Sequence, residues 1–249
     1  CYFGEKCNSF YVKTFREAME AIEDGAADFA VLPIENSTAG AVDEMYDLLV
    51  EFENYIVGET VIPIRHTLSG LPGASLEEVK TVYSKGVALM QATHFLDAHS
   101  SWQRINVANT AIAAKKVVED QDPSQAAVCS VYAAKVHGLQ VLADNINDNE
   151  HNSTRFIVVT NQKIFLKHAS KISICLEVSH ESGSLYRVLS HFIYNDLNMT
   201  KIESRPIEGR DWEYRFFIDF EGNMAGGAVK NAIRGLREEC RNLRILGNY

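Results

Sequence analysis

The sequence has no long apolar run and no excess of positive charge. No uninterrupted apolar segment approaches the roughly 20 residues that a membrane-spanning helix needs. Lysine and arginine total 24 against 33 aspartates and glutamates, the net charge is -9, and no cluster of basic residues is longer than a pair. These features argue against a membrane span, and against nucleic acid or an anionic membrane surface as a partner.

Cysteine is scarce and shows no pairing pattern. The five cysteines are odd in number, widely spaced and without a Cys-x-x-Cys pair. This favours a reduced compartment, so we expect a cytoplasmic protein with no structural zinc. The eight histidines fit neither a zinc-ligand spacing nor a metalloprotease helix. Gly222, Gly226 and Gly227 do not form a phosphate loop, so no nucleotide site is predicted.

Apolar strands alternate with amphipathic helices through the first 160 residues, and the composition, 46% apolar and 23% charged, is that of an ordinary globular protein. A capping box at 14–17 begins a helix predicted over about 14–24, and the continuous apolar run 29–34 predicts a buried strand. A second set of alternating elements follows a Pro- and Gly-containing loop at 69–73, and the chain returns through 143–160. This pattern predicts two α/β lobes around a cleft.

Residues 171–249 have a different order of elements. Their apolar patterns predict βαββαβ, which is the ferredoxin-like plan. Such a small sheet leaves an edge available for pairing with another copy of the chain, so we expect a homodimer or homotetramer.

Three polar turns lie at the ends of predicted strands. They are 35–38, 84–86 with Gln91 in the following helix, and 152–155 at the start of an apolar run. Each turn alone is more often a helix cap or a surface feature than a ligand site. Their common position at strand ends predicts a site. Neutral donors with one permanent cation suit a small polar anion, whose carboxylate Arg155 can hold.

Several segments, taken together, resemble the prephenate dehydratase family. They are Pro-Ile-Glu-Asn-Ser at 33–37 with Gly40, the turn and helix at 84–91, Asn-Thr-Ala at 109–111, and Asn-x-Thr-Arg-Phe at 152–156. Downstream, three segments resemble the family's regulatory ACT domain. They are Gly-Ser-Leu at 183–185, Glu-Ser-Arg-Pro at 203–206 and Leu-Gly-Asn-Tyr at 246–249.

The resemblance covers nearly the whole chain and implies two domains. A two-lobed, periplasmic-binding-protein-like catalytic domain is expected over 1–165, and a ferredoxin-like ACT regulatory domain over 170–249. Lobe one is expected to take 1–61 and 145–165, and lobe two 62–144.

The resemblance also implies a lyase that needs neither metal nor cofactor. It would convert prephenate to phenylpyruvate in L-phenylalanine biosynthesis, with L-phenylalanine as a feedback effector bound between subunits. The implied catalytic residues are Thr154, Arg155 and Phe156. The implied substrate-binding residues are Asn36, Ser37, Thr38, Ser84, Gln91 and Thr110. The implied L-phenylalanine-binding residues are Gly183, Ser184, Leu185, Glu203, Ser204, Arg205 and Pro206.

The sequence departs from the family pattern in places. It begins after the family's first strand and Gly-rich loop, no chorismate mutase segment precedes the dehydratase part, and Lys85 stands where the family commonly has His. Two other functions remain open. One is arogenate dehydratase, which differs in recognising an amino instead of a keto group, and the other is a two-lobed binding module without turnover.

Overall fold

The chain forms both helices and strands along its length in a computed structural model that describes residues 3–4 and 7–249. The first elements are α1 Phe15–Glu23, β1 Ala30–Asn36, β2 Gly40–Ala41, α2 Asp43–Glu51, β3 Tyr55–Pro63, β4 Thr67–Gly70, β5 Thr81–Ser84, α3 Gly86–Met90 and α4 Thr93–Asp97. The next are β6 Gln103–Asn106, α5 Thr110–Asp120, β7 Gln125–Cys129, α6 Val131–Val136, β8 Gln140–Ala143 and β9 Ser153–Thr160. The last are β10 Lys171–Val178, α7 Ser184–Ile193, β11 Met199–Pro206, β12 Tyr214–Glu221, α8 Gly227–Glu239 and β13 Arg241–Asn248.

The chain packs into two compact units. The first unit takes the residues up to Asn36, Gly40–Val61 and Arg155–Tyr249. The second unit takes Ser37–Ala39 and Ile62–Thr154. The first unit therefore contains the residues expected to form the C-terminal domain together with most of those expected to form lobe one, whereas 37–39 and 145–154 of that lobe lie in the second unit.

The first unit contains an eight-stranded sheet in the order β11-β12-β10-β13-β3-β9-β1-β2. Its C-terminal strands pair antiparallel, and β13 joins β3 in parallel where Gly247 lies opposite Ile56. A Cβ atom at position 247 would lie 2.2 Å from the carbonyl oxygen of Ile56, so glycine is required for this approach of the two backbones.

Residues 171–248 have the element order βαββαβ that the sequence predicts. Helices α7 and α8 cover the sheet with apolar side chains at helical spacing, so that Val188, Phe192 and Leu236 are buried against Ile218 and Phe220. This packing follows directly from the pattern of the sequence.

The second unit contains a five-stranded sheet in the order β6-β5-β7-β4-β8. Strand β5 is parallel to β6 and β7, as strand-helix alternation predicts, but β4 is antiparallel to β7 and β8. Strand β4 departs from the parallel arrangement because no helix precedes it. The extended run predicted over 56–68 breaks after Pro63, and the chain then enters this sheet directly as β4. The first residues of β4 therefore lie at the edge where the parallel strands end, with Thr67 opposite Cys129.

The helix predicted over 87–96 is two short helices, α3 and α4. The interruption has a cause far away in the sequence. The carboxylate of Asp148 accepts hydrogen bonds from the backbone N–H groups of Thr93 and His94, each at 2.9 Å. It thereby provides α4 with its own N-terminal cap, which the local sequence 87–96 does not show.

Within residues 3–4 and 7–249, no helix has the length and apolar character needed to cross a membrane.

Candidate functional site

Two of the polar turns predicted from sequence meet in the second unit. The backbone N–H of Ser37 donates to the carbonyl of Ser153 at 2.8 Å, and the N–H of Ser153 donates to the Ser37 hydroxyl at 2.9 Å. This pair of bonds holds the turn after β1 against the start of β9. It places Thr38 and Thr154, each one residue further along the chain, on segments joined by hydrogen bonds.

A cavity of about 260 Å³ lies beside this junction, entirely within the second unit. The residues that line it include Thr38, Gln91, 147–149 and Asn152, together with the apolar side chains of Val87 and Met90. Thr38 and Gln91 were predicted as site residues. The combination of apolar surface and a few polar groups in this cavity is typical of a small-molecule site.

The carboxamide of Gln91 is oriented by His66. The two side chains meet at 3.0 Å between His66 Nε2 and Gln91 Oε1, and because an amide oxygen only accepts, Nε2 carries the proton. His66 is buried, and burial lowers the pKa of its imidazole below the usual value. With its oxygen engaged by His66, Gln91 has its NH₂ group as the remaining donor toward the cavity it lines.

The loop at 147–149 was not among the predicted site residues. Asn147 accepts from the backbone N–H of His66 at 2.6 Å and donates to the Ile64 carbonyl at 3.1 Å, while the N–H of Asp148 donates to the Gln91 carbonyl at 2.8 Å. These bonds connect the loop to both residues of the His66–Gln91 pair. The only sequence signal was the run of turn-forming residues at 144–150, which predicts a loop but not its partners.

Ser84 and Thr110 do not line this cavity. Ser84 is fully buried at the end of β5 and donates its hydroxyl proton to the Val128 carbonyl at 2.7 Å. Thr110 is the first residue of α5, whose N-terminus is capped by the side chain of Asn109 accepting from Ile112 N–H at 2.8 Å. Lys85 is exposed. The structure therefore groups Ser37, Thr38, Gln91 and the segment of Thr154, and leaves Ser84 and Thr110 apart from the cavity.

Arg155 is surrounded by carboxylates of the chain itself. Its Nη1 lies 2.7 Å from Asp219 and 3.2 Å from Glu59, and its Nη2 lies 3.3 Å from Glu35. Its side chain is only 14% exposed. Burial alone would lower the pKa of Arg155, but the charges of Asp219 and Glu59 raise it above the usual value. The guanidinium is thus permanently charged, and its expected contact with a substrate carboxylate stays a prediction.

No group of three or more His, Cys, Asp or Glu side chains that could hold a metal ion is found among the residues the structure describes.

Similarity to known proteins identifies the family of the chain. A family model for prephenate dehydratase matches residues 1–164. The chain belongs to the prephenate dehydratase family. It is 37% identical over 250 residues to the bifunctional chorismate mutase/prephenate dehydratase of Aquifex aeolicus (strain VF5), covering 100% of this chain and 68% of that protein.

A plant relative is similar to the same extent. The chain is 35% identical over 260 residues to arogenate dehydratase/prephenate dehydratase 6, chloroplastic, of Arabidopsis thaliana, which covers 98% of this chain and 63% of the relative. The chain thus spans about two thirds of the length of these curated relatives.

Solved structures show the same similarity. Prephenate dehydratase from Arthrobacter aurescens in complex with L-Phe is 32% identical, with a TM-score of 0.87 over 96% of this chain and 80% of that one. A chain described as a novel type of quorum-quenching acylase is 30% identical, with a TM-score of 0.85 over 95% of this chain and 86% of that one.

In this member of the prephenate dehydratase family, the predicted effector residues fall into two separate groups. A cavity of about 370 Å³ in the first unit is lined by Ser184 and Leu185 with Trp212, Tyr214 and others. None of 203–206 lines it. These residues lie on β11, which is separated from β10 by β12 in the sheet.

The charged residues of the second group contact other parts of the same chain. Arg205 makes ion pairs with Asp43 at 2.8 Å and Asp47 at 2.7 Å, both on α2, and Glu203 lies 3.6 Å from Lys201. A single chain therefore does not bring the two predicted groups into one cavity.

Proposed function

We propose that this chain is a prephenate dehydratase, which removes the ring carboxylate of prephenate as CO₂ and its 4-hydroxyl as water to leave phenylpyruvate. The observation that carries the proposal is the meeting of three predicted motifs. Ser37 is bonded to the residue before Thr154, while Thr38 and Gln91 line one cavity of about 260 Å³. The family match over 1–164 supports the same assignment.

The reaction requires the protein to orient the substrate and to provide one proton donor. Aromatisation makes the reaction strongly downhill, so the enzyme has to hold the substrate and assist the departure of hydroxide. We assign that assistance to the Thr154 hydroxyl, with Arg155 and Phe156 fixing the strand segment beside it. Thr38 and the NH₂ group of Gln91 position the substrate, and Asn36 and Ser37 hold the turn that carries Thr38.

Ser84 and Thr110 have a smaller part in the proposal. The Ser84 hydroxyl serves the Val128 carbonyl, so Ser84 acts by fixing the end of β5. Thr110 offers its N–H at the start of α5, where the helix dipole favours a negative group.

The runner-up is arogenate dehydratase, an activity that the name of the Arabidopsis relative gives together with prephenate dehydratase. The two substrates differ only in an amino or keto group on the side chain. The test is to incubate the purified chain with prephenate and with arogenate and to measure phenylpyruvate and phenylalanine. Formation of phenylpyruvate supports the proposal, whereas phenylalanine from arogenate alone assigns the second activity. Binding of both without product would reject the enzyme in favour of a binding module.

We assign residues 170–249 to a ferredoxin-like ACT domain that binds L-phenylalanine, following a catalytic domain over 1–165. The strand order β11-β12-β10-β13 with two covering helices supports the fold. Support for the effector comes from the Arthrobacter structure, which is described as a complex with L-Phe. The cavity beside Ser184 and Leu185 supplies apolar walls and the N-terminus of α7, which suit an aromatic amino acid.

The assembly is proposed to be a homodimer or homotetramer. Strand β11 is the outermost strand of its sheet, with one edge that pairs with no strand among the described residues. A second copy that paired near this edge would contribute its own 203–206 segment to the effector site, because the two predicted groups of effector residues do not meet within one chain. A cytoplasmic location is proposed because, among the described residues, Cys7, Cys129, Cys175 and Cys240 are free thiols.

A further inference from the structure

Six charged side chains of the first unit form a connected group that we name the ion cluster. Three come from the first 160 residues, namely Glu35, Glu59 and Arg155. Three come from the C-terminal segment, namely Lys171, Lys201 and Asp219. Lys201 pairs with Glu35 at 2.7 Å, Arg155 pairs with Glu35, Glu59 and Asp219, and Lys171 pairs with Glu59.

The centre of the ion cluster is largely shielded from solvent. Its three cations face three anions of the cluster and, 3.6 Å from Lys201, the carboxylate of Glu203. The side chains of Arg155, Lys201 and Asp219 are 14%, 12% and 12% exposed. Asp219 is held further by the Ser173 hydroxyl, which donates to its second oxygen at 2.6 Å. In such surroundings the removal of one charge leaves its partner uncompensated, so each member depends on the others for its position.

Two members of the ion cluster are the immediate sequence neighbours of proposed site residues. Glu35 directly precedes Asn36 on β1, and Arg155 directly follows Thr154 on β9. Successive side chains of a strand point to opposite faces, so Arg155 and Thr154 share a backbone but not a face. An anchor on Arg155 from one face therefore fixes the backbone that presents Thr154 on the other.

We infer that Asp219 and Lys201 are positioning residues for the reaction, acting through Arg155 and Glu35 on the segments that carry Thr154 and Asn36. This inference rests on the proposed function for its kinetic consequence. It means that the C-terminal segment takes part in turnover even when no effector is bound. The segment supplies two charges that the strands β1 and β9 need to hold their proposed site residues in place.

The test compares Asp219→Asn and Lys201→Met with the control Glu177→Gln in the full chain. Glu177 is also a buried carboxylate of the C-terminal segment, but its carboxylate pairs with Arg210 at 2.9 Å, Arg215 at 2.8 Å and Asn242 at 2.9 Å, none of which belongs to β1 or β9. Steady-state kinetics with prephenate give kcat and KM, and thermal unfolding gives stability. Hydrogen exchange of peptides covering 33–38 and 152–157 reports the backbone directly, with or without turnover.

We expect Asp219→Asn and Lys201→Met to lower kcat at least about tenfold with KM changed less than about threefold. Exchange of their respective segments, 152–157 and 33–38, should be about fivefold faster. Glu177→Gln should keep the wild-type kcat and the wild-type exchange of both peptides, although it should lower the unfolding temperature about as much as Asp219→Asn and Lys201→Met do.

A double-variant cycle separates positioning from general support. In an Arg155→Gln background, Asp219→Asn should lower kcat by less than about twofold, because the residue through which it acts is gone. A full tenfold loss in that background, an equal loss in Glu177→Gln, or unchanged exchange at 152–157 and 33–38 would each overturn the inference. If wild type converts neither prephenate nor arogenate, the proposed function fails, and the exchange measurements still decide whether Asp219 and Lys201 position these segments.

Discussion

At the scale of single residues, the proposed chemistry depends on one hydroxyl. Thr154→Ala should lower kcat by at least about 100-fold and leave KM within a few fold, since assistance to the departing hydroxide is given in the transition state. Steady-state kinetics with prephenate measure both constants. Thr154→Ser keeps the hydroxyl and should retain most of the activity. A wild-type kcat for the alanine variant would remove Thr154 from the mechanism.

His66 is expected to make stability depend on pH. Burial lowers the pKa of His66 in the folded protein below the usual value of 6.5, although its hydrogen bond to Gln91 opposes this in part. The folded state therefore binds fewer protons than the unfolded chain below about pH 6.5, so the free energy of unfolding falls as the pH drops from 7 to 5. In His66→Gln this decrease should be smaller.

Urea unfolding at pH 7 and pH 5 measures that difference. His168→Gln removes an exposed histidine and controls for the loss of an imidazole as such. Equal decreases in wild type and His66→Gln would show that His66 does not contribute to the pH dependence.

At the scale of elements, the junction between β13 and β3 depends on one glycine. A methyl group at position 247 would lie 2.2 Å from the Ile56 carbonyl oxygen, so Gly247→Ala must push the two strands apart. We expect a loss of about 2–3 kcal/mol in the free energy of unfolding, as for other overpacked positions. Urea unfolding curves of the variant and wild type measure it.

Gly227 offers a matched control for that experiment. It is the first residue of α8, and a methyl group there would meet no atom within 4 Å. Gly227→Ala should therefore raise stability by up to about 1 kcal/mol, because alanine loses less backbone freedom on folding. If both variants had the same stability, the close approach at 247 would not be the cause of any loss.

At the scale of the whole molecule, the proposed regulation needs a ligand at the cavity beside α7. L-Phenylalanine should bind to wild type in calorimetry, and Leu185→Ala should weaken binding about tenfold because a cavity wall is lost. Tyr186→Ala changes an exposed neighbour that does not line the cavity, and should leave affinity within about twofold. No heat of binding with wild type would reject L-phenylalanine as the effector.

Glu203→Ala distinguishes the two predicted groups of effector residues. If a second copy completes the site, this variant should also weaken binding, although Glu203 does not line the cavity of its own chain. Dehydratase assays with and without L-phenylalanine then report coupling, which requires that the two states of the protein differ in affinity for the effector.

Much of the fold was predictable because its signals are local. Thr14 is the N-cap of α1, one residue before the helix begins, although the Glu17 side chain of the predicted capping box accepts from Lys13 N–H instead. The element order of 171–248 follows from the spacing of apolar residues. The 87–96 segment shows where local signals are not sufficient to predict the structure. Its apolar spacing predicts one helix, but Asp148, more than 50 residues away, caps a second one and leaves Gln91 at the break.

The sequence by itself determined most of the segments that become strands and helices, and which polar turns end them, since period, caps and turn residues act between near neighbours. Only the tertiary structure decided what those turns contact. Gln91 meets His66 from 25 residues away, and Arg155 meets Asp219 from 64 residues away. Such contacts depend on how the strands are ordered in the sheets, which no local pattern specifies. The partners of a polar side chain, and with them its charge and orientation, are therefore properties of the folded chain.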